Sequence, residues 1–243
     1  MGTLKITILV SLCIISSLFL GCVEDSTVST NATLNTESVD DYDIAAANNA
    51  FAFDMYSMIK NEDENIFFSP YSIFTAMAIC YDGAEGSTKE QISNVFYYPL
   101  SKPVLEISSK EMIDTINSDN DNYDLNTANA LWIRKNYPLN KQFEYNLNAY
   151  YDGKVTNVDF SNEPEKSKDT INEWVSTNTN GKIEDIISDE MIDPHNTAMI
   201  ITNAIYFKGK WVNEFDVGDT HKELFYKSSS DKEGTLIDMM YAR

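Results

Sequence analysis

The stretch Thr197 to Gly209 (Thr-Ala-Met-Ile-Ile-Thr-Asn-Ala-Ile-Tyr-Phe-Lys-Gly) constrains the fold more than any other part of this chain. It is apolar almost without alternation, as in a strand covered on both faces. The expectation is therefore a strand placed centrally in a sheet, with material packed above and below it. Asn203 interrupts the run at its middle. A buried amide left without partners costs ~1–3 kcal/mol, so the same stretch predicts a specific polar network around Asn203.

Other segments supply what could cover such a sheet. Asp43 to Ile59 shows Ala46, Ala47, Ala50, Phe51, Phe53, Asp54, Met55 and Met58 at mostly three-and-four spacing, the mark of an amphipathic helix. Asn65-Ile66-Phe67-Phe68 reads as a short strand. Ser69 is a good helix N-cap and Pro70 suits the first helical position, where a missing N–H costs nothing. The helix they open, Tyr71 to Tyr81, is apolar nearly all round and belongs at the centre of a domain. Residues 82–87 break it, and Ser87 or Thr88 is expected to cap another helix through Gln91, Ile92, Val95 and Phe96. Tyr123 to Ile133 alternates as a strand, Gln142 to Tyr151 is helical, and Lys154 to Phe160 alternates again. Glu165 to Thr177 is a helix with Ile171, Trp174 and Val175 inward, ended by Gly181-Lys182-Ile183. Helices and strands in this irregular order, with no βαβ rhythm and no internal repeat, argue an α+β fold.

The N-terminus carries an address. Lys5 precedes an apolar run from Ile6 to Leu20, which fits a signal-peptide core and is short for a membrane span. Leu18-Phe19-Leu20-Gly21-Cys22 is similar to a lipobox, in which a small residue precedes the cysteine whose thiol is acylated. Residues 1–21 are thus expected to be a signal peptide and Cys22 the lipidation site. An ordinary signal peptide or an uncleaved anchor, with a chance cysteine, is the competing reading. From Cys22 the chain is rich in Ser, Thr, Asn and acid, without apolar periodicity, and residues 22–43 are expected to be a disordered tether. Asn31-Ala32-Thr33 fits the glycosylation sequon, a pattern of little weight by itself.

Several function classes fall away. The net charge of −20, from 38 acidic and 18 basic residues, leaves no basic footprint for nucleic acid. Cys13 lies in the leader and Cys22 at its end, where lipid is expected to occupy the thiol, so no plausible pair survives in the mature chain and Cys80 is expected to be an inert buried thiol. His195 and His221 stand in no metal or triad spacing and read as surface residues. Asp119, Asp121 and Asp124 lack the glycine and distal glutamate of a calcium loop. No Gly-x-Ser-x-Gly, His-Glu-x-x-His or phosphate-binding loop occurs, so neither an enzyme nor a cofactor or metal is expected.

Four blocks together name a family. Asn65-Ile66-Phe67-Phe68-Ser69-Pro70-Tyr71-Ser72-Ile73 resembles the serpins, as does Gly83-Ala84-x-Gly86-x-Thr88-x-x-Gln91-Ile92. The likeness continues in Ile171-Asn172-x-Trp174-Val175, with Thr179 and Gly181-Lys182-Ile183. It is densest in Asn203-Ala204-Ile205-Tyr206-Phe207-Lys208-Gly209-x-Trp211, followed by Phe215-Asp216, Thr220, Phe225 and Met239-Met240. It covers residues 44–243 and implies a serpin fold, with mixed sheets and a surrounding helical bundle. By resemblance, Ser69, Pro70, Ser72 and Asn203 fall on the family's shutter, where sheet strands part. Trp211 falls on the breach at the top of the opening sheet, and Phe215, Thr220 and Phe225 on the gate region. The helix at Glu165–Thr177 would lie across the sheet.

The resemblance implies an inhibitor of serine or cysteine proteases that offers a reactive-centre loop as bait and inserts it as a strand after cleavage. The alternative is a non-inhibitory surface binding module on the same fold. Arg243 falls, by resemblance, before the bait loop and its partner strand. This chain is therefore expected to be an inactive fragment of a longer protein, or the product of a truncated gene, with no reactive-site bond of its own. A shutter histidine belongs to the same absent part, which would leave Asn203 short of a partner. Export to the cell surface, with membrane contact through the lipid alone, completes the expectation. Replacing Cys22→Ser is expected to move the protein from the membrane fraction to the medium; a variant that fractionates like the parent refutes the lipobox.

Overall fold

The computed structural model describes residues 38–60 and 65–241. The expected signal peptide, Cys22, the Asn31 sequon and most of the expected tether lie outside the described residues. The last part of the expected tether is not irregular: Val39–Asp41 form a 3-10 turn, and Tyr42 packs on the core with its hydroxyl donating to the Tyr97 carbonyl at 3.2 Å.

A helical layer comes first in the chain: α1 (Ile44–Ile59), α2 (Pro70–Gly83), α3 (Gly86–Phe96) and α4 (Lys102–Ile116). Asp43 caps α1 by accepting from the Ala46 N–H at 2.9 Å. Ser69 caps α2 by accepting from the Ser72 N–H at 3.2 Å, with Pro70 in the first turn. The all-round apolar character of α2 places it centrally: Ile73, Phe74, Ala76, Ala78, Ile79 and Tyr81 are all buried. Phe74, Phe96 and Tyr98 interlock beside it, with Phe74 and Tyr98 edge to face at 4.8 Å.

Two expectations fail in this layer. Asn65–Phe68 forms no strand, because alternating or apolar character does not make a ladder without a neighbour to pair with. Neither Ser87 nor Thr88 caps α3, which begins before both at Gly86, where φ is +56° and a glycine pays no steric cost. On α1 the buried face is narrow: Ala47 and Phe51 are covered, while Phe53 and Met58 point outward.

The sheet follows. β1 (Tyr123–Arg134) leads through α5 (Lys141–Tyr151) to β2 (Gly153–Val158), which pairs with β1 in parallel from Asn129↔Gly153 to Arg134↔Val158. Asp152 turns the chain at φ +47°, and a Cβ at Gly153 would lie 2.5 Å from Leu147 Cδ1, so only glycine permits this tight entry. α6 (Pro164–Asn178) precedes β3 (Met199–Gly209), and the strand order is β2-β1-β3. The Arg134 N–H donates to the Ala198 carbonyl at 2.9 Å, and Asn129 meets Asn203 further along, so β3 runs antiparallel to β1.

Side-chain alternation divides the sheet into two faces. Leu131 and Ile201 join the core of the helical layer. Ala130, Trp132 and Ile200 form a second core with Val158, Phe160, Ile171, Ile187 and Ile192 under α6. Trp132 stands edge-on to Trp174 at 5.8 Å and donates to Thr202 Oγ1 at 3.0 Å. Both faces of β3 are covered as its composition predicts, yet β3 is not central: among the described residues it is an edge strand. Continuous apolar character reports covered faces, which is a different property from paired edges.

A second compact unit comprises residues 119–124 and 207–243. Within it β4 (His221–Phe225) pairs antiparallel with β5 (Thr235–Met239), from His221↔Met239 to Phe225↔Thr235. The turn is held by Asp231, whose carboxylate accepts from the N–H groups of Lys227, Glu233 and Gly234 at 3.1–3.2 Å. Every residue of β4 is exposed, and such a hairpin has little stability of its own.

An uncovered apolar-flanked strand edge is a template for pairing with another chain. Residues 44–243 expressed alone are expected to self-associate at micromolar concentration, seen as sedimenting species that grow with concentration. A monomer at every concentration refutes this.

Candidate functional site

The site forms where α2 crosses the helical face of the sheet. Ser72 lies in the first turn of α2, on the side facing β3, and is 1% exposed. Its hydroxyl donates to Asn203 Oδ1. Asn203 Nδ2 donates to Asn129 Oδ1 on β1 at 2.8 Å, and Asn129 Nδ2 donates to the Tyr151 carbonyl at 2.7 Å. That carbonyl belongs to the last residue of α5, one of the acceptors a helix end leaves unsatisfied. The result is a directed chain from α2 through β3 and β1 to α5, with every member buried.

Both ends of the Asn203 amide are therefore partnered, contrary to the expectation that it would be left short. Ser69 and Pro70 lie in the same turn as Ser72 and set its position by starting the helix at Pro70. The structure thus brings Ser69, Pro70, Ser72 and Asn203 together. Asn129 and Tyr151 complete the chain and were not singled out from the sequence. A signal existed: Asn129 lies on the face of β1 shared with Leu131, so a second buried amide was implied.

Trp211, Phe215, Thr220 and Phe225 all lie in the second unit. Trp211 is 69% exposed and meets Phe215 edge-on at 5.7 Å, so it is not a core residue. The Thr220 N–H donates to the Val217 carbonyl at 3.2 Å, and Phe225 ends β4 opposite Thr235.

Polar side chains also fasten the layer under α6 and the approach to β3. Asn172 on α6 donates to the Ile187 carbonyl at 3.0 Å and accepts from the N–H groups of Ile186 and Ile187 at 3.1 and 2.9 Å. Arg134, at the end of β1, donates through Nε to the Thr197 carbonyl at 2.8 Å and through a terminal nitrogen to that of His195 at 3.1 Å. In the turn between, the Asn196 amide and backbone N–H groups hold the Asp193 carboxyl below the usual carboxylate range. His195 and His221 are exposed, and Cys80 is half-buried at the edge of the core rather than enclosed.

A family model described as serpin (serine protease inhibitor) matches residues 46–243. The chain belongs to the serpin family. A serpin-like protein of Methanosarcina acetivorans is 57% identical over 94% of this chain and 56% of its own length. A serine protease inhibitor of Mus musculus is 33% identical over 93% of this chain and 52% of its own. Among solved structures, emu ovalbumin superimposes with a TM-score of 0.76 at 30% identity, over 81% of this chain and 54% of that one. Reactive-loop-cleaved human thyroxine-binding globulin gives 0.73 at 30%, over 81% and 58%. The chain thus has a serpin fold and spans about half the length of the curated relatives it matches. Within that serpin fold, the Ser72–Asn203–Asn129 chain sits beneath β3, beside the sheet edge that no described strand covers.

Asn203→Ala leaves the Ser72 hydroxyl and Asn129 Oδ1 without partners in a buried site, so it is expected to cost about 1–3 kcal/mol. Urea unfolding at dilute concentration measures this. In an Asn129→Ala background the same change should cost less, because the two share one interaction. Equal costs in both backgrounds would show that the amides act independently.

Proposed function

We propose that the whole protein is a serpin-type inhibitor of serine or cysteine proteases. In this reading the protease nucleophile attacks a carbonyl of the bait loop. The peptide bond breaks, its amine side leaves with a proton, and the acyl-enzyme is carried away as the loop inserts beside β3. One observation supports this above the others: β3 has both faces packed and a buried register pin, yet among the described residues no strand covers its outer edge. Main-chain donors and acceptors along such an edge suit strand addition. Ser69, Pro70, Ser72 and Asn203 then act as the shutter, Trp211 as the breach, and Phe215, Thr220 and Phe225 as the gate region. The inhibitory form is a longer chain that supplies the bait loop, and residues 1–243 alone are inactive. Residues 1–21 direct export, the lipid on Cys22 anchors the protein, and the tether holds it off the membrane's outer face. Catalysis of its own is no part of this proposal.

A second reading, a non-inhibitory surface binding module, draws support from the similarity to a globulin named for binding thyroxine. A protease panel separates the two. A longer product continuing this sequence is expected to form an SDS-stable complex with at least one secreted protease, and residues 1–243 none. In the longer product Asn203→Ala should shift part of the inhibition to simple cleavage. Uniform digestion of the longer product would favour the binding module, and a covalent band from the short chain would overturn the insertion scheme.

A further inference from the structure

A second buried polar cluster, of a different chemical kind, lies where α2, α4 and α5 meet. Asp82 in the last turn of α2, Glu106 on α4 and Asn146 on α5 are 7%, 8% and 9% exposed. Asn146 Nδ2 donates to Glu106 Oε1 at 2.9 Å and to both Asp82 oxygens at 3.3 Å. Gln142 Nε2 holds the Asn146 carbonyl oxygen at 2.8 Å, which orients the amide nitrogen toward the acids. The two acids thus converge on one amide nitrogen, and Asp82 raises the Glu106 carboxyl through hydrogen bonding and charge. Two buried carboxylates facing one donor cannot both ionise cheaply, which favours a proton on one of them.

The surrounding groups do not neutralise the pair. Lys102, at the start of α4, is the cation that acts on Glu106, but its ammonium donates to the Asp82 backbone carbonyl at 2.8 Å and to Glu85 at 2.7 Å. Asp82 and Glu106 also act on the phenol of Tyr151 on α5, as do Tyr81 on α2 and Tyr42 before α1. Tyr151 is 1% exposed, its hydroxyl has no hydrogen-bond partner among the described residues, and burial with the adjacent acids pushes it well above the ordinary tyrosine range. Among the described residues, neither arginine nor histidine acts on Glu106 or Tyr151.

We propose that Asp82 and Glu106 form a proton-linked latch on the helical layer: with one proton shared between them they clamp α2, α4 and α5 together, and loss of that proton loosens α4 and α5. Burial, then the hydrogen bond and charge of Asp82, push Glu106 from 4.5 up to about 7, with Lys102 opposing. Because the folded protein keeps a proton that the unfolded chain releases, stability falls as pH rises from about 4.5 to about 7 and then levels off. Nothing in this device depends on protease inhibition.

The test uses the whole 1–243 chain. Infrared difference spectra of the wild type between pH 5 and pH 9 should contain the band of a buried protonated carboxylic acid, absent from Glu106→Gln and Asp82→Asn. Hydrogen exchange, corrected for intrinsic rates, should show protection of α4 and α5 falling across pH 5–8 in the wild type but much less in either variant, with β1 and β2 as internal reference. Loss of the wild-type acid band below pH 5 overturns the latch without any variant. Protection profiles that run parallel in wild type and variants overturn it as well. A variant that fails to fold leaves the wild-type spectrum and the other variant to decide.

Discussion

The hydrogen bond between Asn203 and Asn129 ties together most of what is specific in this structure. Apolar contact alone would hold β3 against β1 in several registers, since one large aliphatic residue packs on another with little preference. A pair of amides buried in mid-sheet has one satisfactory arrangement. Sliding β3 by one residue would send Asn203 to the α6 face, where Trp132 and Ile200 offer an apolar surround, and strand both amides. Because Asn203 also accepts from Ser72 and Asn129 donates to the end of α5, the same bonds fix where α2 and α5 rest on the sheet. Such a network adds less to net stability than to uniqueness, since its members were equally well solvated in the unfolded chain.

Much of this was legible from residue order. The cap Ser69-Pro70, the all-round apolar α2 and the interrupted run of β3 follow from local chemistry, and so does the need for a polar network at Asn203. What resisted reading is physically instructive. α4 left no clear trace because Glu106, Ser108 and Ser109 are among its buried positions, so polarity and burial are inverted along it. The strand character of Asn65–Phe68 came from composition, but a strand exists only with a neighbour, and composition does not report neighbours. The position of β3 failed for a related reason: hydrophobicity records the covering of faces, whereas the edge is made of main chain that every sequence carries alike. Trp211 shows the converse, a large aromatic that is mostly exposed.

The edge of β3 poses a problem that any serpin reading must meet. A strand added there would gain main-chain hydrogen bonds along a surface already packed on both faces, so addition is favourable whatever supplies the strand. Selectivity then has to come from something that resists casual pairing. The amide chain is suited to that role because it anchors β3 from beneath, to a helix and a neighbouring strand, without occupying the edge itself. In the proposed mechanism an incoming strand must be accommodated with these bonds intact or re-formed, which sets a barrier that a tethered loop in the same molecule overcomes more readily than a second molecule.

Tyr151 is where the two buried polar clusters meet. Its carbonyl ends the amide chain, while its ring lies among the groups influenced by Asp82 and Glu106. The clusters differ in the one respect that matters for regulation. Amides and a serine hydroxyl do not titrate in the physiological range, so the Ser72–Asn203–Asn129 chain presents the same bonds at every pH. The carboxyl pair changes its bonding when a proton leaves, and α5 carries the consequence to the carbonyl on which the amide chain ends. A helix fixed at one end by a constant bond and along its side by a proton-dependent one can shift its packing without losing its register, which a single network of either kind would not allow.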